Sequence, residues 1–237
     1  MKTVILCGGR GTRLGEHGRS VPKALINIGG KPILWHLMRI YSDYGLNDFV
    51  LCLGFLGDEI RRYFEAQAED DQQATWNITF VDTGVDTNTG GRLRQTQDEL
   101  AGEEMFCVTY GDGLASINIG DLLSFHQGHG KIATVTAVHP HSSFGLMDVA
   151  DNGAVSSFRE KPLLKEWING GFFVFDQRVF EYLEGDPVLE REPFEAMCRD
   201  GEMMAFRHEG FWKCMDTFKD NLEFEDLWNN GAPWIVE

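Results

Sequence analysis

Residues Thr3–Gly15 read TVILCGGRGTRLG: five apolar-dominated positions, then a loop in which four of eight residues are glycine and two are arginine. A short continuous apolar run that stops at glycines is the pattern of a strand buried on both faces of a parallel sheet. The turn that follows such a strand is where a backbone can approach a ligand closely.

The rest of the chain supports that start. PILWHLMRIYSDYG places Ile33, Leu34, Leu37, Met38, Tyr41 and Tyr44 at helical spacing, with Gly45 as a stop. DFVLCLG, NITFVDT, MFCVTYGDG and IATVTAV are further apolar strands. Helices are expected between them at DEIRRYFEAQ, GRLRQTQDEL and IGDLLSFHQGHG. This alternation predicts a mostly parallel central sheet with helices on both faces, an α/β fold. FGLMDVADNGAVSSFREKP is expected to be a hairpin turning at Asn152-Gly153, and INGGFFVF a further strand. Helices are expected near EPFEAMCRDG and KDNLEFEDLWNNG, with the strand-like MMAFRHEGFWKCMDT between them. With no internal repeat, low-complexity tract or Pro/Ser linker, one domain over 1–237 with a small antiparallel elaboration is the simplest organisation.

Composition narrows the function. The 237 residues carry a net charge of −16. A broad nucleic-acid-binding face is not expected, because a polyphosphate backbone needs a basic surface. A small anion held by a few local cations remains compatible. No apolar run is long enough for a membrane span, and the N-terminal run is too short for a signal peptide, so no membrane partner is expected. The five cysteines form no CxxC pair, and Cys7, Cys52 and Cys107 sit inside expected strands. That pattern fits buried reduced thiols in a cytoplasmic protein.

In an open α/β sheet, ligands bind beyond the carboxyl ends of the strands. Three polar loops fall there: Gly8–Lys23, Thr83–Arg92 and Gly111–Gly113. The first is no dinucleotide fingerprint, since Leu14 stands where the third glycine belongs, which disfavours a dinucleotide-dependent oxidoreductase. Nor is it a Walker A loop, since no Gly-Lys-Ser/Thr closes it. It still has phosphate-binding parts: glycine N–H groups, the Thr12 hydroxyl, the Arg13 fork, and Lys23 after the stiff Pro22. An anion site is favoured over a turn with solvated cations.

Asp112 ends a strand between two glycines, where a carboxylate can hold Mg²⁺ beside substrate phosphates. Taken alone, a turn aspartate is the commoner reading. Asp216 in KCMDT follows an apolar run and offers a second ligand only if the fold joins the two. In REKP, Glu160 can accept sugar hydroxyls and Lys161 can neutralise a phosphate; a solvated charge run fits equally well. Asn169 beside two glycines permits close approach of a ligand. His139 and His141 lack a third ligand and fit loop histidines.

LCGGRGTRLG, VPKALINIGGKPIL, YGDG, FREKP, INGGFFVF and MDT occur together in the order and spacing of the sugar-1-phosphate nucleotidylyltransferases, a family this chain resembles over nearly its whole length. WNITFVDTGVDTNTGGRLRQ, HGKIATVTAV and GFWKCMDTFKDN are most similar to its members that join CTP to glucose 1-phosphate. The resemblance implies a Rossmann-like nucleotidyltransferase fold. It implies Mg²⁺-dependent transfer from an NTP, CTP foremost, to a sugar 1-phosphate, releasing pyrophosphate. It also implies small-molecule substrates and a homo-oligomer. Arg13 and Lys23 would neutralise charge at the α-phosphate and the leaving pyrophosphate. Leu6, Gly8, Gly9, Gly11, Thr12, Gly111 and Asp112 would surround the nucleotide, with Thr89, Gly90, Gly91 and Arg92 near the pyrimidine and ribose. Asp112 and Asp216 match the metal ligands. Gly145, Glu160, Lys161 and Asn169 match the sugar-phosphate site. The alternatives are another NTP, another sugar 1-phosphate such as a heptose, or a regulatory protein that binds nucleotide sugar without turnover. Retention of Arg13, Lys23, Asp112 and Asp216 favours the enzyme.

Overall fold

The structure is a computed structural model and describes residues 1–11, 21–70 and 76–235, with backbone alone at 67–70. The strands of interest, in chain order, are β1 (Lys2–Leu6), β2 (Asp48–Leu53), β3 (Asn77–Asp82), β4 (Met105–Tyr110), β5 (Gly113–Ala115), β6 (Ala133–Val138), β7 (Leu146–Val149), β8 (Val155–Arg159), β9 (Ile168–Asp176), β10 (Met203–His208) and β11 (Trp212–Cys214). The α-helices are α1 (Ile33–Ser42), α2 (Gly57–Asp70), α3 (Thr89–Arg94), α4 (Ile119–His129), α5 (Glu192–Arg199) and α6 (Phe218–Asn229).

Seven strands form the main sheet in the order β10-β6-β9-β4-β1-β2-β3. All pairs are parallel except those of β9, which runs antiparallel to both β4 and β6. Side chains alternate across the sheet and are buried on either face. Ile5, Leu51, Cys107, Phe172 and Val174 join one core, with Leu34, Leu37 and Phe224 from the helices. Val4, Leu6, Val50, Phe106, Phe173 and Phe175 join the other, with Val179 and Met197. Two buried faces explain why these strands are mostly apolar rather than alternating, with threonines such as Thr109, Thr134 and Thr136 buried among them. The expected α/β class, with a mostly parallel sheet and small antiparallel additions, is what the chain forms.

The carboxyl ends of β1 and β4 lie side by side, with Leu6 paired to Tyr110. The glycine loop after β1 and the Gly111-Asp112 turn after β4 therefore open at one edge. The expected hairpin forms as β7 and β8, with Gly153 at φ +83° in its turn. It is a separate two-stranded sheet standing off the main one.

The expected strand-like stretch MMAFRHEGFWKCMDT divides. Met203–His208 extends the main sheet beside β6, whereas Trp212–Cys214 leaves it to pair with β5. The break falls at Glu209-Gly210. A Cβ on Gly210 would sit 2.6 Å from Ser116 Oγ and 2.7 Å from the His208 ring, so the chain turns there against its neighbours. The expected helix GRLRQTQDEL also divides, into α3 and a separate 3₁₀ turn at Asp98–Leu100.

Candidate active site

Asp112 follows β4 and Asp216 follows β11. The β5–β11 ribbon sets one beside the other, because Cys214 pairs with Gly113 and the Met215 N–H donates to Asp112 O at 2.9 Å. Asp216 is also fixed from the other side. It precedes the N-cap of α6, where Thr217 and Asp220 form a capping box, and the Asp216 N–H donates as well to Asp220 Oδ2 at 3.1 Å.

Lys23 enters from the 3₁₀ turn after Pro22. Its Nζ lies 2.6 Å from Asp112 Oδ2 and 2.9 Å from Asp216 Oδ1. The three side chains are 17%, 29% and 38% exposed. Burial works against the Lys23 charge, but the two carboxylates outweigh it and raise its pKa. Both acids thus converge on one cationic position.

Two cavities meet at this pair. The first, about 400 Å³, is lined by Leu6, Cys7, Gly9, Gly11, Lys23, Ala24, Thr89, Gly111, Asp112 and Asp216. The second, about 220 Å³, is walled by Tyr110, Asn169, Gly170, Gly171, Trp212 and Cys214, and it shares Asp112 and Asp216 with the first. Gly11 has φ +58°, and a Cβ on Gly111 would lie 3.0 Å from the Cys7 Cβ, so both glycines suit close backbone approach. Two cysteines line the cavities unforeseen. Burial pushes both thiols up to about 12, with Asp216 and Asp112 adding to the effect at Cys214, so neither is a thiolate nucleophile near neutral pH.

Of the residues expected at the nucleotide, Leu6, Gly9, Gly11, Lys23, Thr89, Gly111 and Asp112 are in the first cavity's wall. Thr12 and Arg13 lie outside the described residues. Gly8, Gly90, Gly91 and Arg92 are placed differently. Arg92, 4% exposed, turns its guanidinium inward. It donates to Leu53 O at 3.0 Å, Thr83 Oγ1 at 2.6 Å, Gly8 O at 3.1 Å and Val85 O at 3.2 Å. It ties three loops together rather than facing either cavity. A Cβ on Gly8 would sit 2.2 Å from that guanidinium. Gly90 faces Pro187, and a Cβ on Gly91 would lie 1.8 Å from Asp186 Oδ1. That carboxylate accepts from the Asn88 N–H at 2.9 Å. Gly91→Ala is accordingly expected to destabilise the fold by about 1–3 kcal/mol, the usual cost of overpacking. A thermal melt unchanged from wild type would contradict this packing role.

At the expected sugar-phosphate site only Asn169 is in the second cavity's wall. Gly145, Glu160 and Lys161 belong to the stand-off hairpin and its flanks, and neither cavity's wall includes them. They do cluster with one another: a Cβ on Gly145 would lie 3.0 Å from Glu160 Oε2. Lys161, at φ +44°, offers its carbonyl to His141 Nδ1 at 3.2 Å.

Comparison with known proteins shows the family. Residues 2–226 match the nucleotidyl transferase family, and the chain belongs to it. It is 47% identical to a probable glucose-1-phosphate cytidylyltransferase of Bacillus subtilis, each chain being covered over its full length. It is 42% identical to the glucose-1-phosphate cytidylyltransferase of Salmonella typhi, over 99% of this chain and 98% of that one. In fold it resembles a UDP-glucose pyrophosphorylase solved with UDP-glucose, at a TM-score of 0.74 and 15% identity, covering 97% of this chain and 98% of the other. No helix among the described residues is long and apolar enough to cross a membrane.

Proposed function

We propose that this nucleotidyltransferase joins CTP to glucose 1-phosphate, giving CDP-glucose and pyrophosphate. The observation that carries the reading is the meeting of two cavities at Asp112 and Asp216, beside Lys23. A two-substrate transfer needs one pocket for each substrate and a shared boundary where they react. The choice of CTP and glucose 1-phosphate is supported by the two cytidylyltransferase relatives, which match the chain from end to end.

The triphosphate lies along the glycine loop in the first cavity, and the sugar 1-phosphate occupies the second. An oxygen of the sugar phosphate attacks the α-phosphorus in line. That P–O bond forms as the bond from the α-phosphorus to the pyrophosphate oxygen breaks, and pyrophosphate leaves with the electron pair. The attacking phosphate is already anionic at neutral pH, so no general base is required. The chain's task is positioning and charge neutralisation. Lys23 supplies a fixed positive charge at the boundary. The family resemblance of the loop motif gives Arg13 the same charge-neutralising role.

Asp112 and Asp216 suit a Mg²⁺ ion, because their oxygens already converge on a single cation, the Lys23 ammonium. Mg²⁺ is commonly held by one or two carboxylates, with phosphates and water completing its shell. When bound, the ion would offset charge on the triphosphate.

The test is pyrophosphate release from glucose 1-phosphate with CTP, UTP, dTTP, GTP and ATP in separate reactions with Mg²⁺. Release with CTP alone is expected, and release with a different nucleotide alone would overturn the assignment. Asp112→Asn is expected to lower kcat by roughly a thousandfold, in line with loss of one preorganised electrostatic group. Its melting temperature should stay near wild type. Retention of most activity would remove Asp112 from the metal site.

A further inference from the structure

One carboxylate is bonded to both cavities and lines neither. Glu190 lies between Leu189, which is in the core, and α5. Its Oε2 accepts from the Thr89 hydroxyl at 2.7 Å, and its Oε1 accepts from the Tyr110 phenol. Thr89 is in the wall of the first cavity and Tyr110 in that of the second. The chain of bonds continues from Tyr110. Its oxygen accepts from Asn169 Nδ2 at 3.2 Å, and Asn169 Oδ1 accepts from the Gly171 N–H at 2.8 Å.

The direction of every link is forced. An ionised carboxylate only accepts, so Tyr110 must give its proton to Glu190 and turn a lone pair toward Asn169. A backbone N–H only donates, so Gly171 must meet the amide oxygen of Asn169. Both ends therefore demand the same amide orientation, with Nδ2 toward Tyr110. Thr89 is constrained likewise. Its oxygen accepts from the Leu189 N–H at 2.9 Å, which leaves its proton for Glu190.

The backbone around this chain is shaped to permit it. The register of β9 against β6 shifts between Asn169 and Phe173, a bulge that re-aims side chains at a sheet end. Gly171 there has φ +79°, and a Cβ on it would lie 2.6 Å from the Tyr110 ring.

We infer that Glu190 is a positioning residue that sets the polarity of this bond chain, so that Asn169 presents its remaining amide N–H as a fixed donor to the sugar 1-phosphate. The inference rests on the reading of the second cavity as the sugar-phosphate site. Glutamine at 190 has one accepting oxygen in place of two. It cannot receive both Thr89 and Tyr110 in the same way, and a Tyr110 proton turned toward Asn169 would oppose the amide.

Glu190→Gln is expected to raise the KM for glucose 1-phosphate about tenfold, the scale of one lost hydrogen bond in a partly buried site. The KM for CTP should change less and the melting temperature little. Tyr110→Phe should reproduce the effect, and the double variant should be no worse than either single one. Tyr182→Phe removes a comparable phenol–carboxylate bond, to Asp200 at 3.0 Å, away from both cavities and should leave the kinetics unchanged. A fall in kcat or in melting temperature with an unmoved sugar-phosphate KM would overturn the inference, as would strict additivity of the two variants. The Asn169 side-chain amide signals in a ¹⁵N-labelled protein give a readout that needs no turnover. If the wild type fails to turn over glucose 1-phosphate, the functional reading falls. A shift of those signals in Glu190→Gln would still uphold the positioning role, and unchanged signals would sink it.

Discussion

Lys23→Met should reduce turnover by roughly a thousandfold or more, the scale seen when a fixed charge facing a transition state is removed. It should also alter how the site meets metal. The Lys23 ammonium bridges Asp112 and Asp216. Mg²⁺ and Lys23 therefore compete for the same oxygens until a triphosphate gives the lysine another anion to face. With methionine at 23 the two carboxylates are left beside each other without that cation. Added Mg²⁺ should then raise the melting temperature more in the variant than in the wild type, with no nucleotide present. The check is kcat together with melting curves across a Mg²⁺ series. Near-normal turnover, or an identical metal response in the two proteins, would refute the competition.

Arg92→Met is expected to be the most damaging change to stability away from the large apolar side chains. The guanidinium holds four oxygens from Gly8, Leu53, Thr83 and Val85, in a setting 4% exposed. Deleting it strands several buried acceptors at once, each costing about 1–3 kcal/mol when it finds no substitute. A total loss of about 3–5 kcal/mol is expected in urea unfolding, comparable with breaking a buried charged network. Arg92→Lys should recover little of it, because one ammonium cannot span acceptors arranged for a planar fork. The variant should also bind CTP more weakly, since Gly8 opens the phosphate loop and packs on the guanidinium. An unfolding midpoint equal to that of wild type would show that the loops hold themselves.

The parts of the fold that the amino-acid sequence made legible are those with a strong local cause. TVILC, DFVLCLG, MFCVTYG and IATVTAV are apolar apart from their end residues and the buried Thr109, Thr134 and Thr136, because both faces of their sheet are covered. Asn152-Gly153 marks its hairpin because that turn needs a positive φ. Asp112 could be found because it stands between glycines at a strand end. Asp216 could not be joined to it from residue types, since the link is a three-residue ribbon formed far along the chain. The family resemblance carries Arg92 to the pyrimidine and ribose, whereas its guanidinium turns inward to oxygens of Gly8, Leu53, Thr83 and Val85, a difference that TGGRLR does not display because a cation there reads the same facing either way. Glu190 gave no signal at all. In VLEREPFEAM it is one acid among several at a helix start, where acids are common for the sake of the helix dipole. Only the fold distinguishes it from Glu192, by placing it within reach of Thr89 and Tyr110.

The β5–β11 ribbon bears on how the protein comes into being in the cell. Lys23, Asp112 and Asp216 are separated by 89 and 104 positions, yet they act as one unit. A ribosome that has released the first two acquires no bridging lysine site until Trp212–Cys214 has emerged and folded back onto Gly113–Ala115. Throughout synthesis, then, the nascent chain carries its glycine loop with half of the acidic pair missing. Assembly of both acids around Lys23 therefore waits for that ribbon to dock, so the site comes together only after Asp216 has been made.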